Sequence, residues 1–217
     1  VVVARSTRAV VLHARGLTIT RAEVIQGEGR QTAAATSRMA TGGRESPEEL
    51  VLTVSRALEQ GPATIEIAFT GTYSPELRGL FHVREGERWY AFSDFEPTDA
   101  RRAFPCFDEP GFKVPVEVAI TAPSELMALS NMNEVSHTED AARHTTTHRF
   151  APSPPISTYL VAFAVGPFEV FEGATSPVPI RVIAPRGKAP LGRLAAAMAN
   201  ETLAYLGDWF ARPYPYP

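Results

Sequence analysis

Ser93-Asp-Phe-Glu-Pro-Thr-Asp-Ala-Arg-Arg-Ala-Phe-Pro-Cys-Phe-Asp-Glu-Pro-Gly-Phe-Lys113 interrupts a chain that otherwise reads as short strands. Acidic, basic, aromatic and proline residues crowd into one long connection. In a compact β domain such a connection is either functional or disordered, and the density of Phe and Pro argues for an ordered, packed loop. Its backbone can be read in part. Pro97 drives Glu96 towards extended geometry, so the Glu96 carboxylate is expected to leave the end of a strand. Thr98 and Asp99 are placed to cap a short turn, Asp99 to Ala103, which Pro105 ends. Asp108-Glu-Pro-Gly111 reads as a turn into the next strand. Arg101 and Arg102 are expected to pair with Asp108 or Glu109 and hold the loop shut, a role that accounts for every charge here except Glu96.

Outward from this loop the chain alternates with the two-residue period of half-buried strands. On the N-terminal side these are Val10 to Ala14, Leu17 to Ile19, Ala22 to Ile25, an edge strand from Thr32 to Met39 between mobile turns, Leu50 to Val54, and Ala63 to Thr70. Ser46-Pro-Glu-Glu also has the residues of a helix start, but the alternation that follows favours a strand. Leu80 to Val83 and Trp89 to Phe92 form a hairpin that feeds into Asp94 and Glu96. Beyond the loop come Val114 to Thr121, Met127 to Ser130, a polar hairpin tip from Glu134 to Arg143, His144 to Phe150, Tyr159 to Val165, Phe168 to Glu172 and Ile180 to Ile183. The pattern predicts an all-β sandwich or a related curved sheet.

From Pro190 to Phe210 the period changes. Leu191, Leu194, Ala195, Met198, Thr202, Leu206 and Trp209 recur at helical spacing, which predicts an amphipathic helix. It either packs back on the sheet or opens a further domain. A boundary near 187/188 separates the two parts, 1–187 and 188–217. The chain begins at Val1 without methionine and ends on Pro213-Tyr-Pro-Tyr-Pro217, which reads as a piece of a longer protein.

With 217 residues, 44% of them apolar, the chain can bury a real core. A formal net charge of -3 leaves no footprint for nucleic acid, and no apolar run reaches bilayer length. Nothing in the sequence decides the compartment. The single cysteine, Cys106, lies between Pro105 and Phe107 and reads as a small buried hydrophobe, not a nucleophile. His144 and His148 have the spacing of helix metal ligands, but they lie among β-branched threonines, where such a pair does not converge, and the glutamate of a zinc-hydrolase helix is absent. No nucleophile elbow, phosphate loop or dinucleotide fingerprint occurs. Asn200-Glu-Thr202 matches a glycosylation acceptor but falls on the predicted helix.

Phe95 to Lys113 resembles, nearly residue for residue, the most recognisable N-terminal stretch of the aminopeptidase N family of gluzincin zinc peptidases. Ala128-Leu-Ser-Asn-Met132 and Pro155-Ile-Ser-Thr-Tyr-Leu-Val-Ala-Phe163 resemble two further segments of that family in the same order. The resemblance implies a large, saddle-like N-terminal β domain. A catalytic domain would follow it, carrying a G-x-M-E-N strand and an H-E-x-x-H zinc helix, neither of which occurs here. Zinc would therefore belong to the full-length enzyme and not to this chain, which alone is expected to be inactive. Peptides would be its substrates and the missing catalytic domain its partner, with the helix at 190 to 210 as that domain's beginning.

Glu96 matches the family glutamate that helps bind the peptide's free α-amino group, and a fixed carboxylate beside an ammonium suits that role. Asp94 is a departure, because the family usually has glutamine there, lining the pocket for the first side chain. The aspartate either favours basic first residues or pairs with a nearby arginine. Two other outcomes stay open: a non-catalytic scaffold of the same architecture, and a leukotriene-type epoxide hydrolase with aminopeptidase activity, in which glutamine commonly stands at the Glu96 position.

Overall fold

Alternation of apolar and polar residues produces strands throughout, with one helix near the C-terminus. The computed structural model describes residues 1–39, 47–176 and 178–215. They fold as two compact units. One comprises Val1–Phe81, Ser93–Val114 and Pro155–Val161, the other His82–Phe92, Pro115–Pro154 and Ala162–Pro217.

The first unit is built on an antiparallel five-stranded sheet of β1 (Thr7–His13), β2 (Thr18–Gln26), β3 (Gly29–Arg38), β4 (Glu49–Leu58) and β5 (Thr64–Thr70), in the order β1-β4-β3-β2-β5. Leu12, Val24, Leu50, Leu52, Val54 and Leu58 form its core, with Ile65, Ile67 and Phe107 packed against them. Leu50 and Leu52 are wholly removed from solvent, and each contributes about 1.5–3 kcal/mol by that burial. The two short runs read around Arg21 are one strand, β2, with an irregularity in register between Ile19 and Arg21. Strand β4 replaces the alternative helix start; Ser46 and the turn expected at 40–46 lie outside the described residues.

The strand expected at an edge, β3, is the middle strand of the sheet, paired with β2 and β4. Of its residues only Ala33 is buried. Its small and polar composition reflects how little of either face is covered, not a free hydrogen-bonding edge.

β6 (Gly79–Glu85) and β7 (Arg88–Asp94) form the expected hairpin, and with β9 and β12 they make a four-stranded sheet ordered β9-β12-β7-β6, where β9 is Met127–Ser130 and β12 is Phe163–Gly166. β8 (Ala119–Pro123), β10 (Glu134–Asp140) and β11 (Thr145–Phe150) form a three-stranded sheet ordered β8-β11-β10. Three boundaries differ from the sequence reading. Val114 makes only an isolated bridge to Ile156, so β8 begins later. The polar run from Glu134 is a full strand whose side chains are nearly all exposed, and only its end is a turn. Thr158–Leu160 is a 3-10 turn before β12.

β13 (Phe168–Glu172) and β14 (Arg181–Pro185) pair as a ribbon, and α1 (Gly192–Phe210) lies on it. The helix packs on the ribbon through its small residues and not through its large apolar stripe. Gly192 and Ala196 are buried, Ala199, Asn200, Leu203 and Gly207 are half-buried, and Leu194, Met198, Leu206 and Trp209 face solvent. The reason is closeness of approach. A Cβ on Gly192 would stand 2.9 Å from Val182 Cγ1, and one on Gly173 would stand 3.0 Å from the Ala196 Cβ. Only small side chains fit at that contact, so the large apolar residues are turned away.

Candidate functional site

The connection from β7 is ordered at both stems. Phe95 is almost completely buried, and its ring meets Phe104 edge-on at 5.7 Å between centroids. The Asp99 amide donates to the Phe95 carbonyl at 2.9 Å, closing a turn with Glu96, Pro97 and Thr98 at its tip. The Glu96–Pro97 peptide bond is cis. A 3-10 turn, Ala100–Arg102, follows as expected, with Asp99 at the position before it. Asp99 does not cap that turn with its carboxylate, which instead meets Arg102 Nε at 2.7 Å.

Arg101 holds the turn in place. Its Nε donates to Asp108 Oδ2 at 2.8 Å and its Nη1 to Glu48 Oε2 at 3.1 Å. Arg15 Nη1 donates to the other Glu48 oxygen at 3.1 Å, and the Arg15 amide donates to the Arg101 carbonyl at 2.9 Å. Thr158 donates its hydroxyl to Asp108 Oδ1 at 2.6 Å, and Ser157 donates its hydroxyl to the Pro110 carbonyl. The Asp108 and Glu48 side chains are 1% and 6% exposed, so these pairs are screened little by water or salt. The network joins all three chain segments of the first unit. Two of the segments that carry the family resemblance meet in it, through Asp108 and Thr158.

The Asp108 amide donates to His13 Nδ1 at 3.2 Å, which leaves that nitrogen without a proton of its own. Its 3.9 Å approach to Glu109 is therefore a proximity and not an ion pair. Cys106 exchanges backbone hydrogen bonds with His13 and is buried. Burial, reinforced by the Asp108 charge, pushes its thiol far above the usual range, which leaves no thiolate for nucleophilic chemistry. The turn expected at Asp108 to Gly111 closes one residue later, with the Phe112 amide donating to the Glu109 carbonyl.

Arg101 pairs with Asp108 as predicted, and Arg102 pairs with Asp99, with Glu76 3.7 Å away. Asp94 and Glu96 remain. Both are exposed, and among the described residues neither side chain makes a hydrogen bond or ion pair. The local arginine pairing considered for Asp94 is not made. Two exposed carboxylates thus stand two residues apart where β7 ends, on either side of the buried Phe95. Sequence reasoning missed Glu48, Arg15, His13 and Thr158 as partners of the loop, since no motif or spacing links them to it.

Among the described residues no group of three or more side chains is arranged to hold a metal ion. His148 Nδ1 meets Glu134 Oε2 at 3.1 Å, while His144 occupies the turn before β11 with φ 53°.

The family model described as the peptidase M1 N-terminal domain matches residues 1–160. Aminopeptidase M1-B of Oryza sativa subsp. japonica is 39% identical over 178 residues, 80% of this chain and 20% of that protein. Aminopeptidase M1-D of the same plant is 36% identical over 99% of this chain and 24% of its own length. The puromycin-sensitive aminopeptidase of Caenorhabditis elegans is 31% identical over all of this chain and 23% of its own length. The chain thus spans about a fifth to a quarter of the length of these curated relatives. On the match over residues 1–160 and these identities, the chain belongs to the peptidase M1 N-terminal domain family.

Proposed function

We propose that this chain is the substrate-amine-binding β domain of a zinc aminopeptidase, in which Glu96 receives the free α-ammonium of a peptide. The observation that carries the reading is the contrast between Glu96 and the clamped charges of the turn that follows it. Arg101, Arg102, Asp99 and Asp108 are consumed in holding the loop, while the Glu96 carboxylate is exposed and unpartnered between two buried stems. A carboxylate held in this way gives an ammonium a charge-assisted hydrogen bond without first ordering its own backbone. An acetylated or internal peptide has no such group to offer, and that difference confers exopeptidase selectivity.

In this reading the metal is held elsewhere in the intact enzyme. Hydrolysis then takes place on a catalytic domain that α1 begins, and this chain alone binds the substrate's end without cleaving it. The large apolar side chains that α1 turns outward, Leu194, Met198, Leu206 and Trp209, are the face which that domain covers. Asp94 lines the pocket for the first side chain and favours a basic one. One relative, from Saccharomyces cerevisiae, is named alanine/arginine aminopeptidase.

The test is cleavage of a panel of aminoacyl fluorogenic substrates by the intact protein, wild type beside Glu96→Gln, with acetylated controls. A hydrogen bond to a charged group is worth about 1.5–3 kcal/mol, so kcat/KM on free-amine substrates should fall about 10- to 100-fold, with zinc required throughout. Unchanged cleavage by Glu96→Gln would overturn the role of Glu96. In Asp94→Gln the preference for arginine over alanine should fall.

A further inference from the structure

We propose that Glu48 is a positioning residue for Glu96, acting through Arg101. The inference rests on the reading of Glu96 as the amine-binding group. Glu48 stands 53 residues before Arg101, immediately ahead of β4, and reaches the loop through the Arg101 guanidinium. Its two oxygens are divided between Arg15 and Arg101. Arg15 in turn donates its amide to the Arg101 carbonyl, and the Ala14 amide donates to the Glu48 carbonyl. The result is a closed ring of contacts that fixes both the side chain and the main chain of Arg101. Arg101 lies in the 3-10 turn that begins directly after Asp99, and the Asp99 amide closes the Glu96 turn on the Phe95 carbonyl. Displacing Arg101 therefore moves the stem on which the Glu96 carboxylate is carried.

Asp108 holds Arg101 from the other side, so the guanidinium is gripped by two carboxylates from segments far apart in the chain. A planar guanidinium fixed at two edges has its orientation defined, which a single contact would not achieve. Displacement of a binding group by about 1 Å can cost up to about a hundredfold in a site that depends on alignment. Loss of Glu48 leaves Glu96 present but less well placed, and the intact protein then distinguishes ligands with and without an amine less sharply.

The experiment measures inhibition of the intact protein by alanine hydroxamate and by propionic hydroxamate, which differ only in the α-amino group. The ratio of the two inhibition constants reports amine recognition. Glu96→Gln should bring the ratio close to one. Glu48→Gln should lower it about tenfold, raising KM for free-amine substrates with kcat changed less than about twofold, the signature of a lost binding contact. The double variant should be no worse than Glu96→Gln alone, because the two residues act through one interaction. Arg101→Lys, which keeps the charge and loses the planar fork, gives a milder form of the same result and serves if Glu48→Gln does not fold. A folded Glu48→Gln or Arg101→Lys protein with the wild-type ratio would overturn the inference and leave the role of Glu96 standing. So would an effect that adds in full to that of Glu96→Gln. A wild-type ratio in Glu96→Gln itself would remove the functional reading and this inference with it.

Discussion

Glu48 in the first unit and Glu134 in the second are each shared between two basic side chains, yet they are different devices. Glu48 divides its oxygens between Arg15 and Arg101, with its side chain 6% exposed. Glu134 divides its oxygens between His137 Nδ1 at 2.8 Å and His148 Nδ1 at 3.1 Å, with its side chain 34% exposed. Arginine keeps its charge at every pH a protein meets, whereas histidine is the side chain whose charge changes near neutrality. The first carboxylate is therefore a permanent clamp in a dry setting. The second is a surface contact whose strength depends on protons. A similar diagram of two bases around one carboxylate hides a large difference in what its loss would cost.

Breaking the clamp should have the largest effect. Glu48→Ala leaves Arg101 with one carboxylate partner and strands buried charge, and removal of one member of a buried pair costs about 3–5 kcal/mol. Denaturant unfolding of the intact protein should show that loss in the transition reporting the first unit. Substitution of Thr158 by valine tests the same network more gently. It deletes the hydroxyl that donates to Asp108 Oδ1 at 2.6 Å while Arg101 still holds the other oxygen. A loss of about 1.5 kcal/mol is expected for a hydrogen bond to a charged group. If Thr158→Val were as costly as Glu48→Ala, the two carboxylates would have to be equally exposed to a single missing partner, and the ranking of contacts here would be wrong. Cys106, in the same region, offers a probe without mutation. Its thiol should resist alkylation in the folded protein and react once the first unit is unfolded by denaturant.

The two regions were also unequally legible in the sequence. The partners Arg101 and Asp108 lie within one loop, seven residues apart, and opposite charge at that range is enough to suggest them. Glu48 is 53 residues from Arg101, and only the folded chain brings them together. Glu96 is legible because Pro97 restricts its backbone and because Phe95 to Lys113 resembles a family stretch. Burial was harder to read than periodicity. The alanines of β3 suggested an edge because composition reports which faces are wet, while pairing depends on neighbours far along the chain. In α1 the helical period was legible, but the small-residue face that meets the β13–β14 ribbon was not, since the closeness of that ribbon is a property of the folded chain.

The smallest effect belongs to Glu134, and its test is pH. Glu134 and His137 lie on β10, and a shift in register between Glu134 and Ser136 lets the carboxylate reach both His137 and, across the strand, His148. Burial alone would raise the carboxyl pKa, but hydrogen bonds from His148 and His137, with their charges, outweigh it and hold the group below its ordinary value of 4.5. A carboxylate depressed in the folded state binds protons less readily there than in the unfolded chain. It adds stability that is fully present above the unfolded value and is lost as pH falls through the folded one. Wild type and Glu134→Gln should therefore differ by less than about 1 kcal/mol near neutral pH, the range of partly exposed pairs, and should converge in acid once Glu134 is protonated. Raising the salt concentration should shrink that difference, while the cost of Glu48→Ala should hardly change, because ions screen the wet carboxylate and do not reach the dry one. Equal salt sensitivity in the two variants would mean that water enters the Arg15–Glu48–Arg101 ring, and the distinction between clamp and surface contact would then fail.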